Sequence, residues 1–286
     1  MENNATTPLF LNGNVCLRAH VTGYMLLKPV SFSKNANIKL GQSGDVWSFS
    51  TCAGNGTVTL IVTDKDGNEI DRIIGLGTCN GICEKCGCWK SVDGKQPPCY
   101  VIKSYRNPSV LVNHINNSNG LRADIDLAFE QLDGQYIRAR KKPAAIRWNQ
   151  SGEMLGIRMW KKVIEFHKKH PEVLGWVYSK DYRNFSRIAK DLPENLHVLI
   201  SVWGKFGVSV YKKWAHLPNV HAFMVEQSPL YDVPKSELKP SCHCGAYHVT
   251  YTKKGKAKIT LNHEVTCDKC RLCFTNGIRV IGCLAH

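Results

Sequence analysis

The sequence predicts an α/β chain: a partial (βα) barrel with a parallel sheet, an N-terminal β-hairpin cap and a small cysteine-rich, metal-binding C-terminal tail. Three observations carry this expectation. From Ala144 to Gln227 short, nearly continuous apolar runs alternate with longer amphipathic stretches, the pattern of strands buried on both faces and covered by helices. Before them, two β-branched runs flank Asp64-Lys65-Asp66-Gly67-Asn68, a hairpin turn signal. The 13 cysteines are clumped, five between Cys79 and Cys99 and six between Cys242 and Cys283.

Residues 1–76 read as the β-rich cap. Val46-Trp47-Ser48-Phe49-Ser50 is a strand, Thr57 to Thr63 is a second, and Ile70 to Ile74 returns after the turn. Residues 77–227 read as the α/β partial barrel with its cysteine loop. Ala144 to Trp148 is its first clear strand, and a helix from about Met154 to His170 carries Leu155, Met159, Trp160, Val163, Ile164 and His167 at three- and four-residue steps until Pro171 stops it. Further strands are expected at Val173–Tyr178, His197–Trp203 and Val220–Val225, with helices near Tyr182–Lys190 and Val208–His216. Residues 228–286 read as a linker through Pro240 and then a tail too short for an apolar core of its own without a metal.

In such folds the chemistry sits at the C-terminal ends of the strands. That rule selects Asn149, Gln150, Ser151, Gly152 and Glu153 after the first strand, Ser179 and Lys180 after the second, Gly204 and Lys205 after the third, and Glu226 and Gln227 after the fourth.

With 286 residues, 43% hydrophobic and 21% charged, the composition excludes a collagen-like repeat, a coiled coil and a disordered tail. No apolar run has the roughly 18 residues of a membrane span, and Met1 to Asn12 lack a signal-peptide pattern. A cytoplasmic protein with no membrane partner is expected. The net charge of +15 suits nucleic acid or a nucleotide as a partner. No Ser-His-Asp order, zinc-protease helix or phosphate-binding glycine loop is present.

Thr78-Cys79-Asn80-Gly81-Ile82-Cys83-Glu84-Lys85-Cys86 has CxxxCxxC spacing, with Cys88 and Cys99 close behind. Three thiolates on a short glycine-containing loop suit three irons of a four-iron cluster and leave the fourth open to a substrate or cofactor. Zinc competes for the same residues, because four of these five cysteines close a tetrahedral site. The loop precedes the strand–helix region whose strand ends would form a pocket, which favours an open centre.

This spacing, followed by βα units and by Ser151-Gly152-Glu153 after the first strand, resembles the radical S-adenosylmethionine superfamily. The resemblance implies that Cys79, Cys83 and Cys86 hold a [4Fe–4S] cluster and that Ser151, Gly152 and Glu153 bind S-adenosylmethionine, Glu153 holding its amine. It also implies an electron donor, release of a 5′-deoxyadenosyl radical, and hydrogen abstraction from an unknown substrate. Ser151 stands where that superfamily has its first glycine, and Lys85 where it has an aromatic residue.

Phe49-Ser50, Thr78-Cys79, Cys99-Tyr100, Arg147-Trp148, Ser151-Gly152-Glu153 and Cys267 to Cys273 carry a second likeness. Over more of the chain, from about Gly41 to His286, the sequence resembles the phage gene-product-88 family. That family's Cys-Tyr implies Cys99 as a ligand in place of Cys86 or Cys88, and a phage origin would make the compartment the host cytoplasm.

The tail has Cys242-His243-Cys244, then Cys267-Asp268-Lys269-Cys270-Arg271-Leu272-Cys273, then Cys283 and His286. Metal ligation is expected: a second iron–sulfur cluster on Cys267, Cys270 and Cys273 with Cys242, Cys244 or Cys283, or zinc as the alternative. His243, His263 and His286 are further candidate ligands, whereas His114, His167, His170, His197, His216, His221 and His248 lack ligand spacing, and His167 and His221 read as core. Two functions follow. One is an iron–sulfur, radical-type enzyme; the other is a non-catalytic zinc protein that binds nucleic acid through its basic surface.

Overall fold

A computed structural model describes residues 9–11, 14–20, 28–34, 45–79, 99–226, 238–245, 247–251, 257–262 and 264–284. Five strands come first: β1 (Leu9–Leu11), β2 (Asn14–His20), β3 (Val46–Ser48), β4 (Thr57–Thr63) and β5 (Glu69–Leu76). Helices α1 (Tyr100–Ser104), α2 (Pro108–Ala123) and α3 (Ile125–Ile137) follow. Strands and helices then alternate: β6 (Ala145–Trp148), α4 (Gly156–Lys169), β7 (Leu174–Ser179), α5 (Tyr182–Ile188), β8 (Leu196–Ser201), α6 (Gly204–Trp214) and β9 (Val220–Glu226). The tail holds β10 (Cys242–His243), β11 (Tyr247–Tyr251), β12 (Ala257–Leu261), α7 (Cys267–Cys270) and β13 (Val280–Leu284).

Contacts divide the chain into two units, and neither is continuous in sequence. The first is Met1–Phe32, Phe49–Ala139 and Asn149–Met159; the second is Ser33–Ser48, Arg140–Trp148 and Trp160–His286. This partition cuts across the linear one at 76 and 227, because Val46–Ser48 pairs in parallel with β6 and not with the strands of the cap.

The first unit holds a four-stranded sheet in the order β1-β2-β4-β5. β4 and β5 form the hairpin expected from Asp66-Gly67: the Asp64 carboxylate accepts the amides of Asp66 at 2.9 Å and Asn68 at 2.8 Å. These bonds, together with one from the Asn68 side chain, hold the Asp64 pKa below its ordinary value. Val15, Leu17 and Ala19 of β2 and Val58, Leu60 and Val62 of β4 alternate inward, as a half-covered sheet requires. α2 packs on β4 and β5. Its start is set by Asn107, whose side chain accepts the Ser109 amide, and by Pro108 in the first turn. Asp124 separates it from α3 by accepting the Asp126 and Leu127 amides at 3.0 Å.

The sequence reading did not find α2. Its segment Asn113-His114-Ile115-Asn116-Asn117-Ser118-Asn119-Gly120 has no apolar stripe, yet His114 and Asn116 to Ser118 are buried. Two of them, Asn117 and Ser118, bond backbone groups that no strand pairs. Asn117 accepts the Ser31 amide and donates to the carbonyls of Ser31 and Ser50, and Ser118 accepts the Cys52 amide at 2.7 Å. Gly120 completes the fit, since a Cβ there would lie 2.2 Å from Val30 Cγ2.

The second unit holds a seven-stranded sheet in the order β10-β13-β9-β8-β7-β6-β3, every neighbouring pair parallel. From β3 to β9 each new strand adds beside the one before it, the winding of a (βα) barrel without a reversal point. Among the described residues the sheet stays open: its edges are β3 and β10, and the barrel does not close. Every residue of β8 is buried, as a central parallel strand requires. Asn195 binds the end of α4 to the approach of β7 through the carbonyls of His167, His170 and Val173. β11 and β12 make a separate antiparallel pair. Among the described residues no helix is long and apolar enough to cross a membrane.

Candidate functional site

The chain after β6 turns sharply. Asn149 has φ of 49° and Gly152 φ of 78°, and the turn between them is sewn to two segments of the same unit. The Thr51 amide donates to the Ser151 carbonyl at 3.0 Å, and the Ser151 hydroxyl donates to the Thr51 carbonyl at 2.8 Å. Thr51 Oγ1 lies 2.8 Å from Thr78 Oγ1, and Thr78 Oγ1 accepts the Glu153 amide at 3.0 Å. Ser151-Gly152-Glu153 is thereby fixed beside the residue that precedes Cys79. A Cβ on Gly152 would lie 2.0 Å from Thr51 Oγ1 and 2.5 Å from Thr78 Oγ1, so only glycine admits both threonines. Glu153 is buried, and its Oε1 accepts the Met154 amide at 3.0 Å.

Cys79 is buried, and its Sγ accepts the Gly54 amide at 3.3 Å while its own amide donates to the Gly54 carbonyl. Cys52 and Cys99 pack into the same core cluster. Cys52 stood apart in the sequence, separated from Cys79 by the whole hairpin; the link is tertiary, Thr78 donating to the Cys52 carbonyl through both its amide and its hydroxyl. Burial pushes the Cys52 thiol up to about 12, which keeps it protonated. Tyr105, raised chiefly by its complete burial, accepts the Ala53 amide at 3.0 Å and is also influenced by Cys52, Cys99 and the Ser151 hydroxyl. Cys83, Cys86 and Cys88 lie outside the described residues.

A cavity of about 410 Å³ opens in this unit, lined by Leu121, Arg122, Asp124, Ile125, Leu155 and Arg158. Arg122 donates to the Gly77 carbonyl at 2.7 Å, and Arg158 pairs with Asp126 at 3.2 Å. One lining residue, Arg122, thus bonds the carbonyl of the residue before Thr78, and another, Leu155, lies two positions after Glu153.

In the second unit, Cys242, Cys244, Cys267 and Cys273 pack in one cluster with Trp176, Phe274 and Tyr178. Desolvation raises Cys267 to about 11 and carries Cys273 higher, and the thiols of Cys244, Cys267 and Cys270 add to these shifts while Arg147 opposes them. Tyr178 lies 2.9 Å from Cys273 Sγ, and the Arg147 guanidinium sits 5.0 Å from the Tyr178 ring centre. Cys242 is raised by burial and by Cys270. Cys283 is buried in β13, in register with Val225. His243 is exposed; His263 and His286 lie outside the described residues. Among the described residues no three His, Cys, Asp or Glu side chains are arranged to hold a metal ion.

Residues 28–276 match the family model described as Gene product 88. The chain belongs to the gene product 88 family. No curated protein and no solved structure matches the chain. The gene product 88 match spans both the Thr78–Glu153 site and the tail thiols up to Cys273, so both belong to the part of the chain that defines the family likeness.

Proposed function

We propose that the chain is an iron–sulfur enzyme of radical S-adenosylmethionine type, its centre held by the loop that begins at Cys79. The observation that carries this reading is the bond from the Glu153 amide to Thr78 Oγ1, which supports the cofactor turn and the first ligand forming one site. Cys79 fits a cluster by donor type, since cysteine sulfurs are the ligands of iron–sulfur centres and hydrogen bonds to those sulfurs tune them, as the Gly54 amide would here. Cys79, Cys83 and Cys86 would hold it, with Cys99 as the alternative ligand. When bound, such a group supplies one electron to S-adenosylmethionine and so starts hydrogen abstraction. In this reading the chain's own residues orient and exclude. Glu153 and the Ser151–Gly152 backbone hold the cofactor's charged end, Thr51 and Thr78 fix that turn, and the cavity beside Arg122 admits the substrate away from bulk water.

Protein purified without oxygen is expected to be brown, with near-stoichiometric iron and sulfide, and to release 5′-deoxyadenosine from S-adenosylmethionine after dithionite reduction. Cys79→Ala should remove the iron of this centre and abolish the product. Colourless protein that holds zinc and binds nucleic acid with strong salt dependence would sink the proposal and leave the second reading, which the tail's cysteine spacing and the net charge of +15 favour: a zinc-stabilised nucleic-acid binder.

A further inference from the structure

We infer that the second unit carries a platform for single-stranded nucleic acid, built from Lys180, Trp203, Lys205 and Phe206 where β7 and β8 end. These two strands are parallel neighbours with Ser179 in register with Ile200, so the residues that follow them emerge at the same end of the sheet. Lys180 Nζ sits 4.5 Å from the centre of the Trp203 ring. Phe206, in the first turn of α6, is 66% exposed. Single apolar side chains in water are ordinary on protein surfaces. Phe206 differs in being the one aromatic among the exposed large apolar side chains of the described residues, and in being braced. The Tyr182 ring meets it edge-on at 5.6 Å between centroids, and Tyr182 is itself anchored, its hydroxyl donating to the Ser201 carbonyl. A ring held in place and largely in water loses little freedom when a flat partner stacks on it.

The surroundings are cationic. Lys205 is exposed beside Phe206, and α6 adds Lys212 and Lys213 without a single acid. No aspartate or glutamate occurs from Asn195 to Val225. The carboxylate beside Lys180, that of Asp181, is engaged by the Asn184 side chain and by Trp160 Nε1. Phosphates supply the charge that such a surface attracts, and unpaired bases supply a flat face for the Phe206 ring. A duplex keeps its base faces stacked inside, and an acidic peptide would satisfy the lysines alone. The platform lies on the second unit and does not depend on the centre proposed at Cys79.

Fluorescence anisotropy of the full chain tests this, with a labelled thymidine oligonucleotide of about 12 residues as the probe. The oligonucleotide should bind about tenfold more tightly than a duplex of equal length, and more weakly as salt rises. Phe206→Ala and Phe206→Leu should each weaken binding about tenfold with the thermal midpoint unchanged, whereas Phe206→Tyr keeps the ring and the affinity. Lys205→Ala should reduce the slope of log affinity against log salt by about 0.7. Alanine at Lys168 and Lys169, exposed on α4 of the same unit, should leave affinity within about twofold. No binding, equal binding of the duplex, polyglutamate bound as tightly as the oligonucleotide, Phe206→Leu binding like the wild type, or an equal loss from the α4 lysines each overturn the inference. Iron analysis of the same samples keeps the two readings apart: iron-free protein that binds as expected sinks the cluster alone, and iron-loaded protein that does not bind sinks the platform alone.

Discussion

Gly152 is a position where the first unit tolerates no side chain. Its φ of 78° disfavours any other residue, and the two threonine hydroxyls occupy the space of a β-carbon. Gly152→Ala is therefore expected to destabilise the fold by roughly 2–4 kcal/mol; a urea midpoint equal to the wild type would refute this. At this scale the sequence pointed to half of the candidate site. Cys79 and Ser151-Gly152-Glu153 stood out because their spacing resembles that of a known superfamily. Thr51 and Cys52 did not, since a threonine that holds a turn 100 residues away leaves no periodic or motif signal. Asn149 was visible only as a residue at a strand end; its left-handed φ is a property of the fold.

Among the elements, α2 shows why apolar periodicity misses some helices. Its inner face is built from Asn117 and Ser118, which serve backbone groups of irregular chain at Ser31, Ser50 and Cys52. Replacing either side chain strands buried donors or acceptors. Asn117→Ala should cost about 3 kcal/mol and Ser118→Ala about 1–3 kcal/mol, while the half-buried Asn113→Ala should cost under about 0.5 kcal/mol. Chemical denaturation of the three variants checks the order, and equal costs would contradict it. The strands of the second unit were legible for the opposite reason. β7, β8 and β9 are buried on both faces and so are written as continuous apolar runs. Helix ends shifted by a few residues, α4 beginning at Gly156 and not at Met154, as caps govern ends more than periodicity does.

For the molecule as a whole, buried neutral histidines set the acid limit of stability. Burial lowers His114 and His167 to about 3 and His197 to about 4, and it lowers His221 as well. The arrangement explains why they stay neutral. Trp148 Nε1 donates to His167 Nε2 at 2.8 Å, so the His167 proton lies on Nδ1 facing the Val173 carbonyl. His197 Nδ1 meets His221 Nε2 at 3.0 Å, and His221 Nδ1 faces the Ile278 carbonyl. In the unfolded chain these groups bind protons below about pH 6.5, and in the folded chain they do not. Stability is then full above pH 6.5 and falls as the pH drops toward 4, by about 1.4 kcal/mol per pH unit for each histidine. Urea midpoints at pH 7.5, 6 and 5 should fall in that order, and His197→Gln should flatten the slope. An unchanged midpoint at pH 5 would rule this out.

The separation of β3 from β6 also shapes how the chain is made. A ribosome releases Val46–Ser48 well before Ala145–Trp148, its parallel neighbour among the described residues, has been synthesised. At about 5–20 residues per second this strip spends several seconds in a nascent chain without its partner, during which the hairpin and the polar helix encoded between them can already fold. Slower translation through residues 49–139 would lengthen that exposure, and a chaperone that shields short apolar strips would find its target there.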